Sequence, residues 1–161
     1  MAELWLRQGT RALLIDHDDR LLLVKYIFPS GAIRWGTPGG GLDDGEDHTT
    51  GLRRELDEEL GLTEVEIGPV IWHSTHVFPM LSGHDGQRNV FHLVRVPTFD
   101  PAPRIGWEQL RAEFVHDLRW WTLDEIDASD EIFTPSRLGE FTRKLLRVGP
   151  PAEPIDVSEP T

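Results

Sequence analysis

An α/β domain is the fold class this sequence predicts, and three observations carry it. Two pairs of apolar runs are each joined by a turn-prone stretch, a leucine period of four follows a Gly-rich loop, and strand and helix patterns return near the C-terminal end. With 161 residues the chain fits one domain, assigned to residues 1–148, and 149–161 reads as a Pro-rich acidic tail without a core pattern.

In chain order, "TRALLIDHDDRLLLVKYIF" places two apolar runs, Ala12 to Ile15 and Leu21 to Phe28, around "DHDDR", which is the pattern of a β-hairpin. "PSGAIRWGTPGGG" is a Gly- and Pro-rich connection with a short strand over Ile33 to Trp35. From Asp47 the period becomes helical. Leu52, Leu56 and Leu60 recur every four residues, Asp47 serves as N-cap, and Gly61 then Leu62 make a left-handed stop with an apolar contact back onto the helix. "EVEIGPVIWHSTHVFPM" and "RNVFHLVRV" read as a second, antiparallel hairpin across "LSGHDGQ". The acidic connection "TFDPAPRIGWEQLRAEFVHDL" holds a short helix and leads into a strand at "RWWT". Thr122 then caps a helix at "LDEI", and a last helix runs from Ser136 to Val148.

A net charge of -12 opposes binding to a nucleic-acid backbone or an anionic membrane surface, so a phosphate-bearing ligand needs a cation beside it. The lack of cysteine removes disulfides, thiolate nucleophiles and thiolate zinc sites. "MAELWLRQGT" has no basic region followed by an apolar run, and no stretch approaches the roughly 18 apolar residues of a membrane span. The expectation is a cytoplasmic protein with a small-molecule partner, no nucleic-acid polymer and no membrane; a homodimer stays open.

Within "GGGLDDGEDHTTGLRRELDEELGL" the charge is unusually concentrated. At 100° per residue Glu55, Glu58 and Glu59 share one helix edge beside the leucine stripe, with no Lys or Arg on that edge. Each like-charged i,i+3 or i,i+4 pair destabilises an isolated helix by roughly 0.2–0.5 kcal/mol, and late glutamates also oppose the macrodipole. A solvated acidic face is one reading. A site for hard divalent cations is the other, because a bound cation turns the repulsion into attraction. Gly51 lies on the same edge, one turn earlier, in mid-helix where glycine costs about 1 kcal/mol, so close approach of another group is expected there. The loop "TPGGGLDDGE" has a backbone able to turn tightly and aim carbonyls or amides at a ligand.

These residues resemble the Nudix box, G-x5-E-x7-R-E-U-x-E-E-x-G-U with U aliphatic. Gly40, Glu46, Arg54, Glu55, Leu56, Glu58, Glu59, Gly61 and Leu62 fill every fixed position. "WGTPGGGL" and "RWWTLDEI" resemble the family's approach loop and its late strand and helix. The resemblance implies an α/β/α sandwich with a mixed sheet between helices. It also implies hydrolysis of a pyrophosphate bond in a nucleoside diphosphate linked to another moiety, with Mg2+ or Mn2+. Carried over, Glu58 and Glu59 are the principal metal ligands, the Gly39 carbonyl is a further one, and Glu55 is a ligand or the general base. Arg54 holds a glutamate in place; Glu46 and Gly61 are structural. A base or ligand from outside the box falls to Glu113 or Asp117, both ahead of "RWW". The sequence has Gly51 and Leu52 where the family often has a small-residue pair.

On the substrate side Trp35, Arg34 and Gly40 are the candidates, with Trp72, Phe78 and Phe91 as further aromatics and Lys25 and Arg88 as further cations. Aromatics within strands are more often core. His73, His76 and His84 read as strand or turn residues. Nucleoside triphosphates and nucleotide sugars such as ADP-ribose both stay open as substrates. The alternative is a Nudix-like domain that senses nucleotides without turning them over, and a third reading is an acidic structural protein.

Overall fold

The computed structural model describes residues 3–159. Among them the chain forms nine strands and four helices in the order β1 (Leu6–Ile15), β2 (Leu21–Ile27), β3 (Ile33–Gly36), β4 (Gly39–Gly41), α1 (His48–Leu60), β5 (Val70–Val77), β6 (Gly86–Arg95), α2 (Gly106–Ala112), β7 (Val115–Trp121), α3 (Leu123–Ala128), β8 (Phe133–Thr134), α4 (Leu138–Val148) and β9 (Ile155–Asp156). They join in one mixed sheet of order β8-β3-β2-β1-β6-β5-β9, with β4 on β1 and β7 on β2.

The first hairpin closes where Ile15 meets Leu21. Asp16 organises its turn: Oδ1 accepts from the amides of Asp18 and Arg20 at 3.0 and 2.9 Å, and Oδ2 accepts from Arg20 Nε and Thr98 Oγ1, each at 2.8 Å. Beyond the turn β1 and β2 separate. Strand β1 pairs in parallel with β6 along its whole length, and β4 takes its other edge opposite Gly9, Thr10 and Arg11. Strand β2 takes β3 and β7.

Alternation along β1 divides the core. Ala12 and Leu14 face α1 and pack with Leu52, Leu56 and Leu60, all at most 1 % exposed. Leu13 and Ile15 face the other way, onto Ile126 of α3 and Leu138 and Leu145 of α4. Two helical layers with the sheet between them are the sandwich that the box implied.

Helix α1 has the expected caps. Asp47 accepts from Thr50 N at 2.8 Å, and Gly61 stops the helix at φ 68° while Leu62 packs against Leu56 and Leu60. The second hairpin is antiparallel as read. Several boundaries differ from expectation, among them β1, which starts at Leu6 rather than Ala12, and β4, which forms inside the Gly-rich connection. Strand β7 starts at Val115, four residues before "RWW", because it is an exposed strand with a register shift opposite Lys25 and Tyr26, which erases the alternation. Helix α4 starts at Leu138, two residues later than read. The C-terminal segment is not without core contacts: β9 adds in parallel to β5, and Val157 is 3 % exposed within the α4-side core. Two branched apolar residues, Ile155 and Val157, among prolines and acids were too little periodicity to reveal it. No helix among the described residues is long and apolar enough to cross a membrane.

Candidate active site

The site lies where β4 meets α1, and glycine makes the meeting close enough. Gly39 has φ 140°, a left-handed conformation that side chains rarely adopt, and a Cβ there would overlap the Thr10 carbonyl. At Gly40 a Cβ would sit 2.7 Å from the Glu55 carboxyl carbon. The carboxylates of α1 therefore press directly on the backbone of β4. The Gly39 amide donates to Glu59 Oε1 at 2.9 Å. Gly51 is crowded as expected, by the Leu42 side chain and by Glu46 Oε1 at 2.8 Å from the position of a Cβ.

Arg54 ties the box together. Its Nε donates to Glu46 Oε2 and its Nη2 to Glu46 Oε1, both at 2.9 Å, a two-toothed pairing that adds geometric specificity to charge. The same Nη2 donates to the Gly41 carbonyl at 3.0 Å, and Nη1 reaches Glu55 at 3.0 Å and Glu58 at 3.4 Å. Glu46 Oε1 also accepts from the Asp43 amide at 3.0 Å, closing the loop. Arg54, then that amide, hold the Glu46 carboxyl down at about 2. No Lys or Arg sits on the acidic edge of the helix itself, yet cations reach it from outside that edge. Arg54 does so through its length, and Arg104 follows, 2.8 Å from Asp57 and 3.9 Å from Glu58.

Behind the glutamates stands a residue the sequence reading passed over. Arg11 Nη1 donates to Tyr26 Oη at 3.0 Å and to the carbonyls of Thr37 and Gly39 at 3.3 and 3.2 Å. Its only sequence signal was a cation inside an apolar strand. Burial pushes the Tyr26 hydroxyl up to about 12, although Arg11 pulls the other way.

Glu59 is the most strained of the acids. It is 3 % exposed, and burial, then the charge of Glu55, push its carboxyl up to about 8 against the pull of the Gly39 amide and Arg11. Burial also raises Glu55, with Arg54 opposing. Glu58 turns outward to Arg54 and Arg104, so among the described residues no three ligating side chains are already gathered. The donor set suits a hard cation nonetheless: carboxylate oxygens whose mutual repulsion Arg54 and Arg11 do not discharge, plus a Gly39 carbonyl that keeps one lone pair beyond its bond from Arg11.

The two outer candidates part company. Glu113 ends α2, and its charge is among those that raise Glu59. Asp117 lies inside β7 opposite Lys25 rather than in a loop, and its Oδ1 accepts from the Leu118 amide at 2.8 Å. Trp35 does not offer a stacking face. It is 4 % exposed, edge-on to Trp121 at 5.1 Å, and part of the core, as are Trp72 and Phe91. Arg34 sits on β3, its Nη1 donating to the Ile33 carbonyl at 2.8 Å. Phe78 is exposed, and His73, His76 and His84 occupy β5 and the turn after it.

A family model for the NUDIX domain matches residues 5–145. The chain belongs to the NUDIX family. Among Nudix relatives, an RNA pyrophosphohydrolase of Acidiphilium cryptum is 30% identical over 131 residues, covering 76% of this chain and 79% of that protein. The nucleoside triphosphatase NudI of Escherichia coli is 30% identical over 142 residues, covering 84% and 91%. Similar Nudix folds include the E. coli ORF135 protein, with TM-score 0.61, 22% identity and coverage of 93% and 96%. The NUDIX domain of Shewanella oneidensis NrtR complexed with ADP ribose has TM-score 0.63 at 21% identity, covering 88% of each chain. With its box complete, this Nudix chain is a pyrophosphohydrolase of nucleotide derivatives.

Proposed function

We propose that the chain hydrolyses the pyrophosphate bond of a free nucleotide, with Mg2+ or Mn2+ held by Glu55, Glu58, Glu59 and the Gly39 carbonyl. The observation that carries this is Glu59, a buried carboxyl pushed up to about 8 by burial and then by Glu55, yet anchored by the Gly39 amide. A fold that keeps two such acids together has a cation as their natural partner. When bound, that cation screens the phosphates and makes its water a stronger acid. Glu113, at the end of α2 and with its charge felt at Glu59, is the group we assign to take the proton from the attacking water, ahead of Asp117. Arg54 is a positioning residue that holds Glu46 and Glu55 and so sets the angle of α1 on β4.

Relatives bear the names RNA pyrophosphohydrolase and nucleoside triphosphatase, and a similar fold binds ADP ribose. The net charge of -12 favours a free nucleotide over an RNA end here, since a polymer adds repulsion at every phosphate. A cytoplasmic setting, where nucleotides and Mg2+ are held together, belongs to the same reading.

The test is release of phosphate, pyrophosphate or nucleoside monophosphate from nucleoside triphosphates, ADP-ribose and 5′-triphosphorylated RNA, with Mg2+ or Mn2+. Metal-dependent turnover of free nucleotides is expected, with kcat lowered roughly 100-fold or more by Glu59→Gln. Tight nucleotide binding with no turnover of any compound would favour a sensor. Faster hydrolysis of the RNA end would overturn the choice of a free nucleotide.

A further inference from the structure

On the sheet face away from α1, next to β4, strands β1 and β6 carry a polar surface that the carboxylate site does not use. Register places Gly9 opposite Asn89 on one side and Gly41 on the other, and Arg7 opposite Gln87. Side chains of β6 lean over Gly9: a Cβ there would overlap Asn89 Oδ1 and lie 2.8 Å from Gln87 Nε2. Glycine at this position makes room for two amides to lie against the strand. Gln87 Nε2 donates to Asn89 Oδ1 at 2.9 Å, which orients both groups. Asn89 Nδ2 and Gln87 Oε1 then have no partner among the described residues, though both side chains are half-buried. Exchanging the N and O ends of both amides swaps the roles but still leaves one donor and one acceptor side by side. Across Gly9 the guanidinium of Arg7 lies over Gly41, exposed and with no carboxylate partner among the described residues.

Resting on the reading of the β4–α1 carboxylates as the pyrophosphate site, we propose that Gln87 and Asn89 read the hydrogen-bonding edge of the substrate's base, making this enzyme base-selective. The substrate is then a nucleotide whose phosphates lie at β4 and whose base lies over β1 and β6, two strand spacings or roughly 10 Å away. Every nucleobase edge sets a donor beside an acceptor, and the fixed order of the amide pair accepts one order better than the reverse. Arg7, between the two ends, meets the phosphate nearest the sugar. An oriented amide pair discriminates because a wrong base leaves both amide groups unpaired in a partly dry place.

The experiment measures dissociation constants of ATP, GTP, CTP and UTP with Ca2+ by calorimetry, and kcat/KM for the same four with Mg2+. It uses wild type, Gln87→Leu and Asn89→Leu, with melting curves to confirm folding. The wild type prefers one base by roughly 5- to 150-fold, the range of a good bidentate contact, and each leucine variant brings the ratio toward one. Gln87→Glu and Asn89→Asp, which keep shape but fix a single hydrogen-bonding role, serve where a leucine variant does not fold; they shift the preference toward a base offering donors. Selective binding lost in the variants supports the proposal even without turnover, which would overturn the hydrolase reading instead. Equal binding of all four by wild type, no binding of any, or a preference that survives in the variants overturns it.

Discussion

Glu59 joins burial, charge and the proposed cation site in one side chain. A carboxyl raised to about 8 is most at ease when neutral. Its contribution to stability is therefore full below the ordinary value of 4.5 and is lost as pH rises through about 8. Metal-free protein should lose melting temperature across that window, and Glu59→Gln should remove this part of the loss. At pH 8, Mg2+ should raise the melting point of the wild type and not of the variant; equal rises in both would count against Glu59 as a ligand. Glu46 has the opposite sign. Arg54 holds its carboxyl at about 2, so its contribution is present above 4.5 and fades as pH falls from there toward 2. Arg54→Ala should flatten that acid limb in urea titrations and lower stability at pH 7 by roughly 3 kcal/mol, since Glu46 and Glu55 lose their shared cation. Lysine lacks the fork and should rescue little. An unchanged acid limb in Arg54→Ala would show that Glu46 is held by something else.

Helix ends set the positions of these side chains. Helix α3 begins with a reciprocal cap in which Thr122 Oγ1 accepts from the Glu125 amide at 3.0 Å while Glu125 Oε1 accepts from the Thr122 amide at 2.8 Å. Thr122→Ala should cost about 1 kcal/mol by chemical denaturation, with catalysis untouched. Gly61 is different, because its stop lies two residues from Glu59. It combines φ 68° with a space where a Cβ would overlap the Ala102 carbonyl. Gly61→Ala should cost more than the roughly 1 kcal/mol of a left-handed alanine, and it should also raise the amount of Mg2+ needed for half-maximal rate. A stability loss with unchanged Mg2+ dependence would confine Gly61 to folding. At the other rim Phe114 adopts φ 69°, unusual for a bulky residue, between Glu113 at the end of α2 and the first residue of β7.

Over the whole molecule the sheet is extended by its last residues. Strand β9 pairs with β5, Val157 N donates to the His73 carbonyl at 2.9 Å, and the Thr75 amide donates to Ser158 Oγ at the same distance. Val157→Ala should lower stability by about 2 kcal/mol, and a chain ending at Gly149 should lose more, read as a shift in the denaturation midpoint. An unchanged midpoint on truncation would return residues 149–161 to the status of an appendage. The same contacts cover the β5 edge, which would otherwise present unpaired amides and carbonyls to another chain.

Local periodicity and spacing were enough to read the α/β class, both hairpins and α1 with its caps, while the acidic cluster was legible through its resemblance to the Nudix box. Each depends on neighbours within a turn or a strand pair. The leucine stripe, Asp47, Gly61 and the box glutamates all lie within sixteen residues. Tertiary structure decided what depends on distant partners. Arg11 reaches the Gly39 carbonyl across 28 positions, Val157 finds the core by pairing with a strand over 80 residues earlier, and Trp35 turns its ring into that core rather than toward a ligand. Long-range packing sorts like residues into unlike roles, because burial and partners, not residue type, set what a guanidinium, a carboxylate or an indole can do.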